Sequence, residues 1–237
     1  MKYLVTAAIL ALTAAPALAQ STPPAEAPAV TKAKADAAPA AADLLFERPQ
    51  MRNAAAGATL TYDYLRRSGI SKGPFGPPLN DAITLKLEPG KNADERNISV
   101  QMFSGQNRFP AGPFEDMPGN PVMTLFLEHH LINLARVLEA NPRYLKNAIR
   151  KGLRDRATVT PTKVTYNGRE VDGWRIEAKP FEGDKLAERM RGMSNMTYIF
   201  ITSPEVPGEL VSIEAQSKNP EGGELLEERL SYDQKAG

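Results

Sequence analysis

Two consecutive helices set inside a chain of strands and turns constrain this sequence more than any other feature. Residues 120–156 read NPVMTLFLEHHLINLARVLEANPRYLKNAIRKGLRDR, and each half opens on Asn-Pro. An Asn side-chain oxygen satisfies an orphan N–H at a helix start, and Pro suits the first helical position, where no donor is needed. The spacing predicts one helix from Pro121 and a second from Pro142, dividing the flanking strands into two groups.

The first helix is apolar over more than half of its circumference. At about 100° per residue, Val122, Met123, Leu125, Phe126, Leu127, Leu131, Ile132, Leu134, Val137 and Leu138 leave Thr124, Glu128, Ala135 and Glu139 as a solvent stripe. The segment is too short and too polar for a membrane span. It is therefore expected in the core, or closing the open side of a curved sheet. His129, Asn133 and Arg136 recur at i, i+4 and i+7 inside the apolar arc. Buried polar groups need partners. The plainer expectation is hydrogen bonding to nearby loops; the sharper one is that the three line a cavity mouth and hold a ligand's polar end.

The second helix is basic and amphipathic. Tyr144, Leu145, Ala148, Ile149 and Leu153 form one apolar face, whereas Arg143, Lys146, Arg150, Lys151, Arg154 and Arg156 make the remainder cationic. Such a helix suits an anionic membrane or an acidic partner. A solvated surface balanced by acids within the same fold is the competing expectation, and residues 205–237 carry eight acids against three bases.

Residues 1–19 read as a signal peptide: Lys2, an apolar run, then Ala17-Leu18-Ala19 as an A-x-A cleavage site. The expected address is the periplasm, with cleavage after Ala19, no lipid anchor and no transmembrane anchor afterwards. The chain has no cysteine, so an ordinary core must stabilise it. Of 29 Lys and Arg, Lys2 leaves with the signal peptide, and basic and acidic residues then balance at 28 each. Nucleic-acid binding, which draws on excess positive charge, is not expected. Residues 20–43 contain ten Ala and four Pro among 24 positions. A segment so poor in large apolar side chains cannot offset its ordering entropy, and we read it as a disordered linker. Residues 44–237 have the size of one domain.

Apolar patterning and turn signals predict strands over 59–67, 82–88, 97–103, 157–166, 169–179, 209–216 and 224–232, and 198–202, apolar on both faces, reads as a central strand. Asn167-Gly168 suits a type I′ hairpin turn. The segments 68–81 and 109–119, rich in Pro and Gly, read as loops. Their Phe75, Phe109 and Phe114 either anchor them to the core or form a lid over an apolar opening. Asp184 is expected to cap a short helix over 185–190. The resulting fold class is α+β: a largely antiparallel curved sheet of about eight strands with an inserted helix pair.

Chemistry-bearing motifs are sparse. The two histidines, His129 and His130, are neighbours on a helix and point about 100° apart, which suits neither a triad nor a zinc chelate. No G-x-S-x-G, H-E-x-x-H or Walker spacing occurs, and no cofactor is implied. Met190, Met193 and Met196 form two M-x-x-M steps. Thioethers are soft ligands for Cu(I), so copper handling is one reading, and gap-filling between a short helix and the sheet is the other.

The stretches G-N-P-V-M-T-L-F-L-E (119–128) and E-V-P-G-E-L (205–210) resemble a group of exported proteobacterial proteins with no assigned activity. At fold level, strands interrupted by a greasy helix pair resemble LolA-like lipoprotein carriers. That resemblance implies a half-barrel closed by helices over an apolar cavity, with the first helix as a lid. It also implies Phe126, Leu131, Leu134 and Trp174 as cavity residues, beside His129, Asn133 and Arg136. The functional expectation is a soluble periplasmic carrier of a lipid, acyl chain or lipidated protein; an enzyme stays open as a reading with no reaction to name. The alternatives are an envelope assembly protein docking through Arg143, Lys146, Arg150, Lys151 and Arg154, and copper handling.

Overall fold

The computed structural model describes residues 38–69, 75–219 and 223–235. The expected signal peptide, and the linker up to residue 37, lie outside the described residues. One compact unit begins at Ala38. Ala41 is buried in its core, and the Leu44 N–H donates to the Ala40 carbonyl at 3.2 Å, so ordered chain starts before residue 44.

Nine strands form a single open, curved antiparallel sheet. They are β1 (Thr59–Arg67), β2 (Leu79–Pro89), β3 (Arg96–Met102), β4 (Phe114–Met117), β5 (Thr158–Tyr166), β6 (Arg169–Ala178), β7 (Thr197–Thr202), β8 (Leu210–Lys218) and β9 (Glu224–Tyr232). Between β4 and β5 come α1 (Pro121–Leu138) and α2 (Pro142–Asp155). The order across the sheet is β4-β3-β2-β1-β9-β8-β7-β6-β5. The first and last strands therefore pair in the middle, with Tyr64 opposite Leu230 and Arg66 opposite Glu228.

This order explains why the helices are inserted where they are. β4 and β5 are the two edges, yet they are consecutive strands, so the connection between them must cross the sheet. Eight strand spacings amount to roughly 38 Å when flat. The 18 residues of α1 rise about 27 Å along their axis. Curvature shortens the remaining gap, and the crossing helices cover a face that would otherwise be open.

The strands bury alternate residues, as a half-covered sheet requires. Leu60, Tyr62 and Tyr64 of β1, Ile83, Leu85 and Leu87 of β2, and Tyr198 and Phe200 of β7 are all buried. Asn167 and Gly168 both have positive φ, 49° and 73°, as a type I′ turn demands. Both helix starts are as expected: Asn120 accepts from the Val122 N–H at 3.1 Å and Asn141 from the Arg143 N–H at 2.9 Å.

Three local expectations are corrected. The segment 109–119 contains a strand, β4, a four-residue edge whose register against β3 shifts between Arg96 and Ile98. For the loop phenylalanines the core-anchoring alternative is the one seen: Phe75 is buried, and Phe109 and Phe114 pack partly buried against the core. On α1 the solvent stripe is rotated: Ala135 is buried, whereas Arg136 is exposed and Ile132 is 44% exposed. Over 185–190 only Ala187–Met190 is helical, and as a 3-10 turn; the Asp184 carboxylate accepts from the Leu186 N–H at 2.7 Å. No helix among the described residues is long and apolar enough to cross a membrane.

The start of α1 is tied down from three directions. The Asn120 side chain donates to the Tyr62 hydroxyl at 2.9 Å and to the Gly208 carbonyl at 3.0 Å, and its N–H donates to Gln50 Oε1 at 2.9 Å. Gly208 has φ +72°, and a Cβ there would stand 2.8 Å from Asn120 Nδ2, so only glycine fits. The two stretches 119–128 and 205–210, far apart in sequence, thus meet at one buried anchor.

Candidate functional site

The helix α1 faces two different surroundings. Beneath it lies a closed polar cluster. His130 Nε2 is 2.8 Å from the Tyr198 hydroxyl, and His130 Nδ1 is 3.3 Å from Glu228 Oε1. The Tyr64 hydroxyl donates to Glu228 Oε2 at 3.0 Å. Tyr64, Tyr198, His130 and Glu228 are all fully buried. The cluster therefore joins α1 to β1, β7 and β9 at once. Phe126, one turn before His130, stacks on it with ring centroids 6.2 Å apart and planes 3° off parallel.

The electrostatics of this cluster follow from burial and pairing. Burial alone would push the Glu228 carboxyl up. The facing His130, helped by His129 and the Tyr64 hydroxyl, overrides burial and holds it below the usual carboxylate range. Burial, reinforced by the Glu228 charge, pushes the Tyr64 and Tyr198 phenols up. His130 Nδ1 and Glu228 Oε1 face each other without hydrogen-bond alignment, and neither atom has another hydrogen-bond partner among the described residues. A carboxylate removed from water depends on the groups that face it, so deleting it or one of them leaves the others stranded in the core. As folded, the cluster fixes where α1 sits; chemistry on a substrate would require it to open.

His129, the neighbouring residue, turns to the flank of α1. The rings of Tyr64, Phe103 and Phe109 surround it edge-on at 5.9, 5.0 and 5.4 Å. Burial in this aromatic box lowers its pKa. Asn133 Nδ2 lies 3.4 Å from the ring nitrogens.

On the other flank, α1 and α2 leave an apolar groove of about 350 Å³. Leu127 and Leu131 of α1, Ile149 and Leu153 of α2, and Phe46 from the N-terminal turn form its walls. Phe46 is 36% exposed. Lys146, Arg150 and Arg154 stand along its rim, with Thr124 and Glu128 across from them. Lys146 pairs with Glu128 at 3.6 Å and Arg154 with Glu47 at 3.4 Å, both in the open. The Arg154 guanidinium also lies 5.8 Å over the Phe46 ring. The α2 wall is held rigidly. Gly152 packs so closely on Pro180 that a Cβ would fall 2.7 Å from the proline Cβ, and Tyr144 donates to the Asp184 carboxylate at 2.6 Å. A larger cleft, about 540 Å³, opens beside Phe181, Asn195 and Lys218, with more polar walls.

The residues singled out from the sequence do not converge on one site. Phe126 and Leu134 are fully buried in the core, and Leu131 lines the groove. His129 and Asn133 lie half-buried on the opposite flank, and Arg136 is exposed there. Trp174 is half-buried on β6, between Pro161 and Thr202 of the adjacent strands. Arg143, Lys146, Arg150, Lys151 and Arg154 are all exposed, and three of them rim the groove. Met190, Met193 and Met196 are buried in the hydrophobic core, the first two on 3-10 turns and Met196 just after the second. No cluster of three metal-ligating His, Cys, Asp or Glu occurs among the described residues. The residue most plainly missed is Glu228. In Leu226-Glu227-Glu228-Arg229-Leu230 the alternation places Glu228 on the same inward face as two leucines, a signal that was present in the sequence.

A scan against models of known protein families finds no match for this chain, and a comparison with curated proteins finds no similar sequence.

Proposed function

We propose that this protein binds or carries an apolar ligand of the bacterial envelope, an acyl chain or a lipidated protein, after export to the periplasm. One observation carries the reading: the groove between α1 and α2, walled by five apolar side chains, of which Phe46 stands open to water while Leu131, Ile149 and Leu153 form its largely covered floor. The fold is consistent with a carrier, an open curved sheet crossed by helices. The space beneath α1 holds Phe126, Leu134, Tyr64 and Tyr198, so the reading assigns the ligand to the outer groove. Leu131 then contacts the ligand, while Phe126, Leu134, His129, Asn133, Arg136 and Trp174 support the scaffold.

The magnitudes set a limit. Ten methylenes laid on the walls gain about 8 kcal/mol before costs. Association itself costs at least about 4 kcal/mol. An acyl chain alone therefore binds weakly, and its polar end must contribute. Native mass spectrometry of the chain, gently purified from bacterial cells, tests the reading. A lipid-sized adduct that organic solvent extracts is the expected result. A bare mass, together with no uptake of an added fatty acid, would overturn it.

A second reading is docking on an acidic envelope protein. Arg143, Arg150 and Lys151 are exposed and have no ion-pair partner among the described residues. Reversing Arg150 and Arg154 to Glu should then abolish co-purification of that partner, and unchanged co-purification would end this reading. A copper role would require Met190, Met193 and Met196 to leave the core.

A further inference from the structure

Resting on the carrier reading, we infer that the ligand of the α1–α2 groove is a single-chain anionic amphiphile, its headgroup held by Lys146, Arg150 and Arg154 while its chain lies on Leu131 and Ile149. The three cations follow each other at i, i+4 and i+8, so they form one ridge with about 6 Å between neighbours along the axis. On α2 this ridge runs directly beside the apolar positions Ile149 and Leu153. Apolar wall and cationic rim are therefore two sides of one groove, which is the pattern an amphiphile with a negative end presents in mirror image.

The charges at this rim are available to a ligand. Lys146 and Arg154 have carboxylate neighbours, but each pair stands well exposed to water. Exposed pairs of this kind hold only weakly and exchange readily for another anion. Arg150, in the middle of the ridge, has no ion-pair partner among the described residues, and it lines the groove. A guanidinium offers a planar fork that matches a carboxylate or phosphate. Arg154, stacked over Phe46, keeps its charge against the apolar wall and not out in solvent. A neutral amphiphile would leave this ridge unused, and a cationic one would be repelled by it.

Isothermal titration of the chain with monomeric lysophosphatidylglycerol and with lysophosphatidylcholine of the same chain length tests the inference. The anionic lipid should bind at least about tenfold more tightly, and Arg150→Glu should remove that preference, consistent with loss of a charged hydrogen bond. Lys151→Glu makes the same charge change on α2 outside the groove lining and should leave binding within about twofold. Equal binding of the two lipids would overturn the inference and leave the apolar-carrier reading standing. No binding of either would overturn both. Binding only to phosphatidylglycerol vesicles, or equal loss in both variants, would overturn it in favour of a diffuse basic surface.

Discussion

The two flanks of α1 are built on opposite principles. On the inner side an imidazole, a carboxylate and two phenols are sealed from water between α1 and the strands β1, β7 and β9. On the α2 side, leucines, an isoleucine and a phenylalanine line an open groove. A chain shaped for stability alone would reverse this, covering Phe46 as well and leaving the carboxylate in water. The polar cluster is costly to assemble but fixes one position for the helix, since its contacts form only when all four groups meet. The groove leaves apolar surface uncovered, as a binding face does. Substitutions inside should therefore change stability and spare binding, and substitutions in the groove should do the reverse.

The largest effect is expected from Glu228→Ala. It leaves the Tyr64 hydroxyl without its acceptor and His130 without the carboxylate that faces it, both sealed from water, and urea denaturation should show a loss of about 3–5 kcal/mol. A loss below 1 kcal/mol would mean that water already reaches the cluster. Asn120→Ala comes next. It removes the helix cap together with the bonds to Tyr62 and Gly208, at an expected cost of about 2–3 kcal/mol.

Acid sensitivity sharpens the same comparison. The Glu228 carboxyl is held below the usual range in the fold, so the folded state binds fewer protons than the unfolded chain. Its stabilisation is present above about pH 4.3, the unfolded value, and is lost as pH falls through the lower folded value. His129, also lowered, adds a gentler loss that begins as pH drops below about 6.5. Urea midpoints between pH 7 and pH 3 should fall in both stages. His129→Phe should flatten the upper stage alone; if both stages persist in that variant, the assignment to His129 is wrong.

The smallest stability effects belong to the groove. Phe46→Ser and Arg150→Glu should each move the folding free energy by about 0.5 kcal/mol or less. Phe46→Ser should nevertheless weaken acyl-chain binding severalfold, which a fluorescent fatty-acid titration would read.

How far the sequence foretold this structure depends on whether a feature is local. Asn120 and Asn141 cap their helices as their Asn-Pro pairs indicate, and Asn167-Gly168 makes its hairpin. The strand β1 is read over its full length because its alternation is regular. β4 escaped because Phe114–Met117 is a short edge among prolines and glycines, with too few residues to show a period. The solvent stripe of α1 differs from the expected one because burial there is decided by tertiary packing. Ile132 faces water while Ala135 packs inside, and no property of either residue encodes that choice. The groove itself was illegible. Phe46, Leu131 and Ile149 belong to three segments whose meeting is decided by long-range packing.

The measurement that separates the two flanks most directly uses a fatty acid carrying a nitroxide on its chain, added to isotopically labelled protein and read by NMR relaxation. Broadening should centre on Leu127, Leu131, Ile149 and Leu153, while signals of Tyr64, His130, Tyr198 and Leu230 remain sharp. Broadening centred on the inner four would contradict the carrier proposal as drawn here, because it would place the ligand beneath α1, in space the polar cluster now fills.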